Sequence, residues 1–179
     1  MKADILLGDV LAGLKTLPDG HARCVVTSPP YWGLRDYGEA GQLGLERTPE
    51  QYVANMVEVF RAVKRVLADD GTLWLNIGDS YYNNFGGGSG TMTTGNAKAV
   101  RQRGRHSVPK HDVLKLKDLV GIPWRVALAL QADGWYLRQE IIWAKPNPMP
   151  ESVTDRCTKA HESVFLLTKS RSITSTKSQ

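Results

Sequence analysis

A six-residue segment at positions 27–32, Thr-Ser-Pro-Pro-Tyr-Trp, combines residue types that could bind a planar amine. It directly follows the apolar run Cys24–Val26. Because proline has no backbone N–H, the two consecutive prolines must end a strand at this point. The Ser28 hydroxyl, the Pro29 carbonyl and the Tyr31 ring would then lie on a stiff turn at the carboxyl end of a strand. Open α/β sheets bind their ligands at that edge.

A hydroxyl oxygen, a rigid carbonyl and an aromatic face suit a planar base that carries an exocyclic amine. Ser28 Oγ and Pro29 O can accept the two hydrogens of such an amine, whose lone pair is otherwise delocalised into the ring. Localising the lone pair makes the nitrogen a nucleophile, and this requires orientation and preorganised electrostatics rather than a metal. The alternative is a proline-stiffened loop without a chemical role. Serine before the prolines and tyrosine after them favour the functional interpretation.

The segment resembles motif IV of the amino-methyltransferases that modify DNA, in which Asp, Asn or Ser precedes Pro-Pro and then Tyr or Phe. The Ser form is typical of the cytosine-N4 enzymes. The resemblance implies methyl transfer from S-adenosyl-L-methionine (AdoMet) to cytosine N4, with the base flipped out of the duplex onto Tyr31. Adenine-N6 methylation stays open, because both amines fit the same pair of acceptors. The implied catalytic residues are Ser28, Pro29, Pro30 and Tyr31.

Residues 4–170 resemble the β class of these enzymes, which has a circularly permuted, Rossmann-like AdoMet-binding fold. Residues 141–146 resemble motif VIII, and residues 161–167 resemble the strand after it. The fold class implied is α/β, an incomplete Rossmann-like sheet that is mostly parallel and has an antiparallel hairpin at one edge. By the same resemblance, the cofactor would contact three residues: Asp9, Thr27 and Ser28.

The elements that must position these residues follow from the hydrophobic pattern. Strands are predicted over residues 4–7, 23–27, 72–77, 135–143 and 162–168. Helices are predicted over residues 9–14, from a Thr48 cap to about residue 70, and over 123–132. Alternation of strands and helices favours a parallel sheet. The last two strands have no helix between them, so we expect them to form an antiparallel edge hairpin.

The composition is that of one globular domain. Hydrophobic residues make up 41% and charged residues 23% of the 179 residues. No run approaches the roughly 18 apolar residues that a membrane span needs, and the N-terminus lacks a signal-peptide core. Cys24 and Cys157 are far apart and match no metal-ligand spacing. We expect an intracellular, cytoplasmic protein that binds no metal.

Positive charge is concentrated between residues 86 and 117, where seven basic residues accompany one acidic residue. The net charge of the whole chain is only +5, so the remainder is close to neutral. A basic loop over residues 83–117 therefore indicates a polyanionic partner, here double-stranded DNA. The alternative is a solvated run of charge. The residues predicted to contact DNA phosphates are Lys98, Arg101, Arg103, Arg105, Lys110 and Lys145.

One signature of the resembled family is missing from the sequence. The turn Asp-Pro-Phe-x-Gly-Ser-Gly, over which the methionine end of AdoMet lies in that family, does not occur. We therefore expect residues 1–170 to be a partial catalytic domain and residues 171–179 to be a disordered or frameshifted tail. A missing C-terminal half and a restriction endonuclease are the partners to consider. The alternative of another class is a non-catalytic DNA-binding remnant or one half of a split enzyme.

Overall fold

The computed structural model describes residues 3–82, 111–148 and 154–171. The described strands form a single sheet in the order β1-β2-β4-β3. None of the helices in these ranges is long and apolar enough to cross a membrane. The elements are α1 (Val10–Lys15), β1 (Ala22–Thr27), α2 (Pro49–Val66), β2 (Leu67–Ile77), α3 (Ile122–Ala132), β3 (Tyr136–Ala144) and β4 (His161–Thr168).

Helix α2 begins where its capping residues predict. Thr48 Oγ1 accepts a hydrogen bond from the backbone N–H of Gln51 at 3.2 Å. Pro49 occupies the first turn, where its missing N–H costs no intrahelical bond. The helix ends at Val66 rather than near residue 70, since Leu67 already pairs with β1 and begins β2. The register of the sheet therefore takes precedence over the helical period at this end.

The sheet is mixed. Strands β1 and β2 are parallel, whereas β4 is antiparallel to both of its neighbours, β2 and β3. The predicted antiparallel hairpin at one edge is confirmed by the β3–β4 pair. The prediction of a mostly parallel sheet is only partly matched by the described strands, because β4 inserts between β2 and β3 and runs against each of them.

Residues 4–7 form no strand, and this part of the prediction is wrong. Ile5 and Leu7 are 93% and 102% exposed. An apolar run becomes a strand only where a neighbour supplies partners for its N–H and C=O groups. Among the described strands β1 is an edge strand that pairs with β2 alone, so it offers residues 4–7 no such partner.

The core lies on one face of the sheet, between the strands and helices α2 and α3. Side chains alternate along each strand, so Leu73, Leu75 and Ile77 of β2 are fully buried on this face. The pairing register places Trp74 and Asn76 on the other face, opposite Leu166 and Val164 of β4. The polar side chains near the end of β2 and the start of β4 therefore lie on the face of the sheet that α2 and α3 do not cover.

Candidate active site

Four strand ends meet at one edge of the sheet. The parallel strands β1 and β2 both finish there, β4 begins there because it runs against β2, and β3 ends there because it runs against β4. Ser28 follows β1, Asn76 lies near the end of β2, Lys145 follows β3 and Glu162 lies near the start of β4. The topology thus brings side chains from distant parts of the chain to the Ser-Pro-Pro-Tyr turn.

A chain of hydrogen bonds runs from Ser28 to Glu162. Ser28 Oγ donates to Tyr31 Oη at 3.1 Å, and Tyr31 Oη donates to Glu162 Oε2 at 3.2 Å. Asn76 Nδ2 donates to the same carboxylate oxygen at 3.0 Å. Lys145 Nζ forms an ion pair with the other oxygen, Oε1. The Glu162 carboxylate therefore collects three donors, and Ser28 is linked to it through Tyr31.

These donors favour the ionised form of Glu162. Burial alone would raise the pKa of this carboxyl, but hydrogen bonds from Lys145 and Asn76 outweigh it and hold the pKa below its usual range. The pKa of Tyr31 is raised, first by burial and then by the negative charge of Glu162, against the lowering effect of its bond from Ser28. At neutral pH, Glu162 is a carboxylate that accepts hydrogen bonds, and Tyr31 is a neutral phenol that donates one.

The position of the Tyr31 ring depends on Gly78, the first residue after β2. A Cβ atom on Gly78 would lie 2.5 Å from Cδ2 and Cε2 of Tyr31, a distance that real Cβ contacts do not reach. Tyr31 also packs, partly buried, against the hydrophobic core. The lack of a side chain at Gly78 therefore makes room for the Tyr31 ring at the end of β2.

Hydrogen bonds made by Tyr52 and Trp32 hold the proline turn in place. Tyr52 Oη of α2 donates to the Pro30 carbonyl at 2.9 Å, and burial raises the pKa of Tyr52, which keeps its phenol a donor. Trp32 Nε1 donates to the backbone carbonyl of Glu46 at 3.0 Å. Gly44 has a φ of +95°, and a Cβ there would lie 2.9 Å from the Tyr31 carbonyl oxygen. Glycine is thus required at that position for both its conformation and its small size.

Two oxygen atoms of the turn, Ser28 Oγ and Pro29 O, are not used by these anchors. Ser28 is exposed, and its Oγ atom donates its hydrogen to Tyr31. Within the described ranges no group donates to the carbonyl of Pro29, whereas the next carbonyl, that of Pro30, is occupied by Tyr52. The turn therefore offers two neighbouring acceptors, one hydroxyl oxygen and one carbonyl oxygen.

The other residues predicted to bind the cofactor have partners of their own. Asp9 is the N-cap of α1, and its Oδ1 accepts from the N–H of Ala12 at 3.0 Å. Thr27 is the last residue of β1 and pairs with Leu75. No hydrogen bond joins Asp9 to the Ser28–Glu162 chain in the part of the molecule that is described. The structure places Thr27 and Ser28 side by side and Asp9 at a separate helix start.

The residues predicted to hold DNA phosphates are only partly described. Lys145 is the one member of that set in the described ranges, and besides its ion pair with Glu162 its Nζ lies 5.6 Å from the centre of the Trp143 ring. Its contact with a phosphate stays a prediction. The remaining members lie outside the described residues: Lys98, Arg101, Arg103, Arg105 and Lys110.

The segment predicted as a basic, DNA-facing loop starts and ends close to the candidate site. Residues 83–110 lie outside the described residues. On either side, the N–H of Lys117 donates to the Tyr82 carbonyl at 2.8 Å. Asp79 Oδ1, just after β2, accepts the N–H groups of Gly121 at 3.0 Å and of Ile122 at 2.9 Å and so holds the start of α3. Both flanks are therefore attached to the carboxyl end of β2.

Sequence reasoning missed two residues of the site, Asn76 and Glu162. Asn76 interrupts an apolar strand between Leu75 and Ile77, both fully buried. Glu162 is an acidic residue near the start of β4, ahead of the apolar run 164–167. A polar residue within a buried type of strand is a signal that could have found them, but it does not reveal the partner.

Comparison with known proteins assigns the family. The model of the N6/N4 methyltransferases, described as DNA methylase, matches residues 22–179. The chain belongs to this family of DNA methylases. The family resemblance inferred from motif IV is thereby confirmed.

The DNA methylase chain is similar to several curated type II methyltransferases. It is 54% identical over 168 residues to M.Cfr9I of Citrobacter freundii, which is 94% of this chain and 55% of that protein. It is 52% identical over 170 residues to M.SmaI of Serratia marcescens, which is 93% of this chain and 56% of that protein. The chain thus spans about half the length of the curated relatives that it matches.

Solved structures share the fold. The PvuII DNA methyltransferase, described as cytosine-N4-specific, superposes with a TM-score of 0.60 at 18% identity, covering 92% of this chain and 48% of that one. The Thermus thermophilus protein TTHA0409, solved with S-adenosyl-L-methionine, gives a TM-score of 0.57 at 20% identity, covering 90% of this chain and 51% of that one. At these identities the likeness supports the α/β methyltransferase fold.

Proposed function

We propose that this DNA methylase supplies the base-binding part of an enzyme that transfers a methyl group from AdoMet to N4 of cytosine in double-stranded DNA. The observation that carries the proposal is the pair of open acceptors on the motif IV turn. Ser28 is exposed, and in the described structure the Pro29 carbonyl receives no hydrogen bond, while its neighbour at Pro30 is occupied. An exocyclic amine has two hydrogens, and the turn presents two oxygens for them.

The turn would activate the amine by accepting its hydrogens. Hydrogen bonds to Ser28 Oγ and Pro29 O favour a pyramidal nitrogen, whose lone pair is no longer shared with the ring. They also stabilise the positive charge that develops on the nitrogen as it is alkylated. Because the anchors from Tyr52 and Gly78 hold the turn before the base arrives, little reorganisation is needed.

The base must leave the duplex to reach this turn, since its amine is otherwise paired inside the helix. The partly exposed ring of Tyr31 offers a stacking surface next to the two acceptors. Stacking of one base on an aromatic side chain contributes about 1–3 kcal/mol. Basic residues of the 83–117 segment would hold the phosphates around the flipped nucleotide.

We expect residues of this chain to form part of the cofactor site. Thr27 and Ser28 place two hydroxyl groups at the carboxyl end of β1, and the exposed Asp9 uses only Oδ1 for its cap. Hydroxyl and carboxylate oxygens suit the amine and hydroxyl groups of an adenosine, so these residues fit their assignment to AdoMet. The cofactor supplies an electrophilic methyl group on a sulfonium sulfur, and the residues of this chain orient the nucleophile towards it.

Cytosine N4 is favoured over adenine N6 by the serine at the first position of motif IV. The PvuII enzyme, which shares the fold, is described as cytosine-N4-specific. Adenine N6 also carries two hydrogens, so the acceptor pair alone does not distinguish the two bases. Identification of the methylated nucleoside decides between them.

The test is an assay of methyl transfer with radiolabelled AdoMet and unmethylated double-stranded DNA, followed by digestion and mass spectrometry. It compares the 179-residue chain with the same chain joined to the portion of M.Cfr9I that it does not span. N4-methylcytosine that disappears in Ser28→Ala supports the proposal, and N6-methyladenine would change the target base. DNA binding without methyl transfer by either protein would support the DNA-binding remnant instead.

A further inference from the structure

We propose that Glu162 is a positioning residue that sets the direction of the Ser28–Tyr31–Glu162 hydrogen bonds and so makes Ser28 Oγ a pure acceptor for the target amine. The inference rests on the proposed function, because it explains how the same turn distinguishes an amine hydrogen from a lone pair. It concerns a carboxylate that lies 131 residues from Tyr31 in sequence and contacts its hydroxyl.

A serine hydroxyl is ambiguous by itself, since it carries one donor and two acceptor lone pairs. An exposed Ser28 could present either its hydrogen or a lone pair to an incoming base. Only the lone pair can bind an amine hydrogen. What Ser28 offers is therefore decided by where its own hydrogen is held.

An ionised carboxylate removes this ambiguity, because it has no hydrogen to donate. Tyr31 Oη, at 3.2 Å from Glu162 Oε2, must direct its hydrogen to the carboxylate. Its oxygen is then left to accept, and it accepts from Ser28 Oγ at 3.1 Å. With both hydrogens directed towards Glu162, the outward side of Ser28 Oγ presents lone pairs only. The reverse direction requires a protonated Glu162.

The remaining contacts of Glu162 keep it ionised. Lys145 Nζ forms an ion pair with Oε1, and Asn76 Nδ2 donates to Oε2 at 3.0 Å. The Oδ1 atom of Asn76 is buried and has no partner in the described ranges. The amide therefore directs its N–H to the carboxylate although its own acceptor stays unsatisfied, which has a cost. The charge of Glu162 dominates the arrangement of its neighbours.

The first experiment replaces the carboxylate by an amide of the same shape, Glu162→Gln. The amide can donate to Tyr31 Oη, so the direction of the chain is no longer imposed. We expect kcat for methyl transfer to fall by at least about tenfold, equivalent to about 1.4 kcal/mol of barrier, with KM for DNA nearly unchanged. The matched control is Glu140→Gln in the neighbouring strand β3. Glu140 accepts from Ser163 Oγ at 2.8 Å and lies outside the chain of bonds, so full activity is expected.

The second experiment does not depend on activity and uses the 179-residue chain. Carbon-13 NMR of labelled tyrosine, with Tyr31→Phe assigning the signal, follows the Cζ atom of Tyr31 as the pH is lowered. We expect the signal to titrate with the Glu162 carboxyl in the wild type and in Glu140→Gln, and to lose this response in Glu162→Gln. A Tyr31 signal that is indifferent to both pH and Glu162→Gln would overturn the inference.

The two experiments separate this inference from the proposed function. Methyl transfer by the wild type together with an equally active Glu162→Gln would refute the role of Glu162 and leave the function standing. Failure of every form to methylate DNA would refute the function, while the NMR response would still decide whether Glu162 controls Tyr31.

Discussion

At the scale of residues, the chemistry of the site depends on the direction of its hydrogen bonds rather than on unpaired charges. Ser28 is neutral and exposed, yet its chemical character is determined by Tyr31 and, behind it, by the Glu162 carboxylate. Lys145 neutralises that carboxylate through Oε1, the oxygen that Tyr31 does not contact. An amine that has to lose electron density to a methyl group is best served by acceptors of this kind, because a nearby cation would oppose the charge that develops.

The two parts of the Tyr31 side chain can be separated by substitution. Tyr31→Phe keeps the ring and removes the hydroxyl, so we expect DNA affinity to be nearly retained and methyl transfer to fall by about tenfold. Tyr31→Ala removes the ring too, which should weaken binding of the flipped base by about 1–3 kcal/mol more. Turnover and affinity measured in parallel check this. Equal activity of Tyr31→Phe and the wild type would contradict a role for the hydroxyl.

The Glu162–Lys145 pair predicts how stability depends on pH. The pKa of Glu162 is lower in the folded chain than its usual value, so its contribution is present at neutral pH and is lost as the pH falls through the folded pKa. Lys145→Met removes a main cause of that lowering. Because the folded pKa then moves towards the unfolded value, we expect the acid-side loss to be smaller and to be complete at higher pH, and the free energy of unfolding at neutral pH to fall by about 1 kcal/mol.

Urea unfolding at pH values from about 3 to 8 measures how the free energy of unfolding depends on pH. This range covers the ordinary titration of carboxyl groups. Lys15→Met is the control, because Lys15 is an exposed residue of α1 remote from the pair. If Lys145→Met and Lys15→Met show the same pH profile, the ion pair does not contribute to stability.

At the scale of elements, the close approach of β2 to the proline turn is the feature most sensitive to substitution. In Gly78→Ala the new methyl group would lie 2.5 Å from the Tyr31 ring, so the ring or the strand end must move. We expect a loss of about 1–3 kcal/mol of stability together with a loss of methyl transfer. Denaturant unfolding and the transfer assay measure the two effects.

The matched control is Gly13→Ala in α1. Apart from its chain neighbours and the backbone of its own helix, no described atom lies within 4 Å of a Cβ at Gly13, and alanine is favoured over glycine inside a helix by about 0.5–1 kcal/mol. This variant should be slightly stabilised and keep full activity. If Gly78→Ala behaves in the same way, the position of Tyr31 does not depend on the end of β2.

At the scale of the whole molecule, the charge pattern predicts how the protein holds DNA. Replacing Arg101, Arg103 and Arg105 by Gln should weaken binding to all DNA sequences alike. The slope of log affinity against log salt concentration is negative. For each phosphate that the protein no longer neutralises, this slope should become less negative by about 1. Binding titrations at several salt concentrations measure the slope.

A control that removes the same number of charges replaces Lys15, Arg23 and Arg171 by Gln. Arg23 is the second residue of β1, and Arg171 follows the end of β4. Both therefore lie at the opposite edge of the sheet from Ser28. The salt slope of this control should match that of the wild type. An equal change in both triple variants would show only that overall charge matters.

Part of the exposed apolar surface of the described residues lies on β1 and α1. Val26 is 78% exposed, α1 has no buried residue, and among the described strands β1 has one neighbour only. A strand of an α/β sheet usually has apolar residues on both faces because both are covered. The fused protein used to test the proposed function also tests whether additional chain protects this surface, through the exposure of Cys24 to a thiol reagent.

Local chemistry in the sequence was enough to determine the motif IV turn, the Thr48 cap of α2, the β3–β4 hairpin and the family. Each depends on residues that are neighbours along the chain: prolines without N–H groups, a hydroxyl beside free N–H groups, and alternating apolar residues. The order β1-β2-β4-β3 and the exposure of residues 4–7 depend on which strands find partners, and the pattern within one strand does not contain that information. For the same reason only the tertiary structure could place Glu162 and Asn76 against Tyr31. Those contacts exist because the register of β4 against β2 brings two strand ends together.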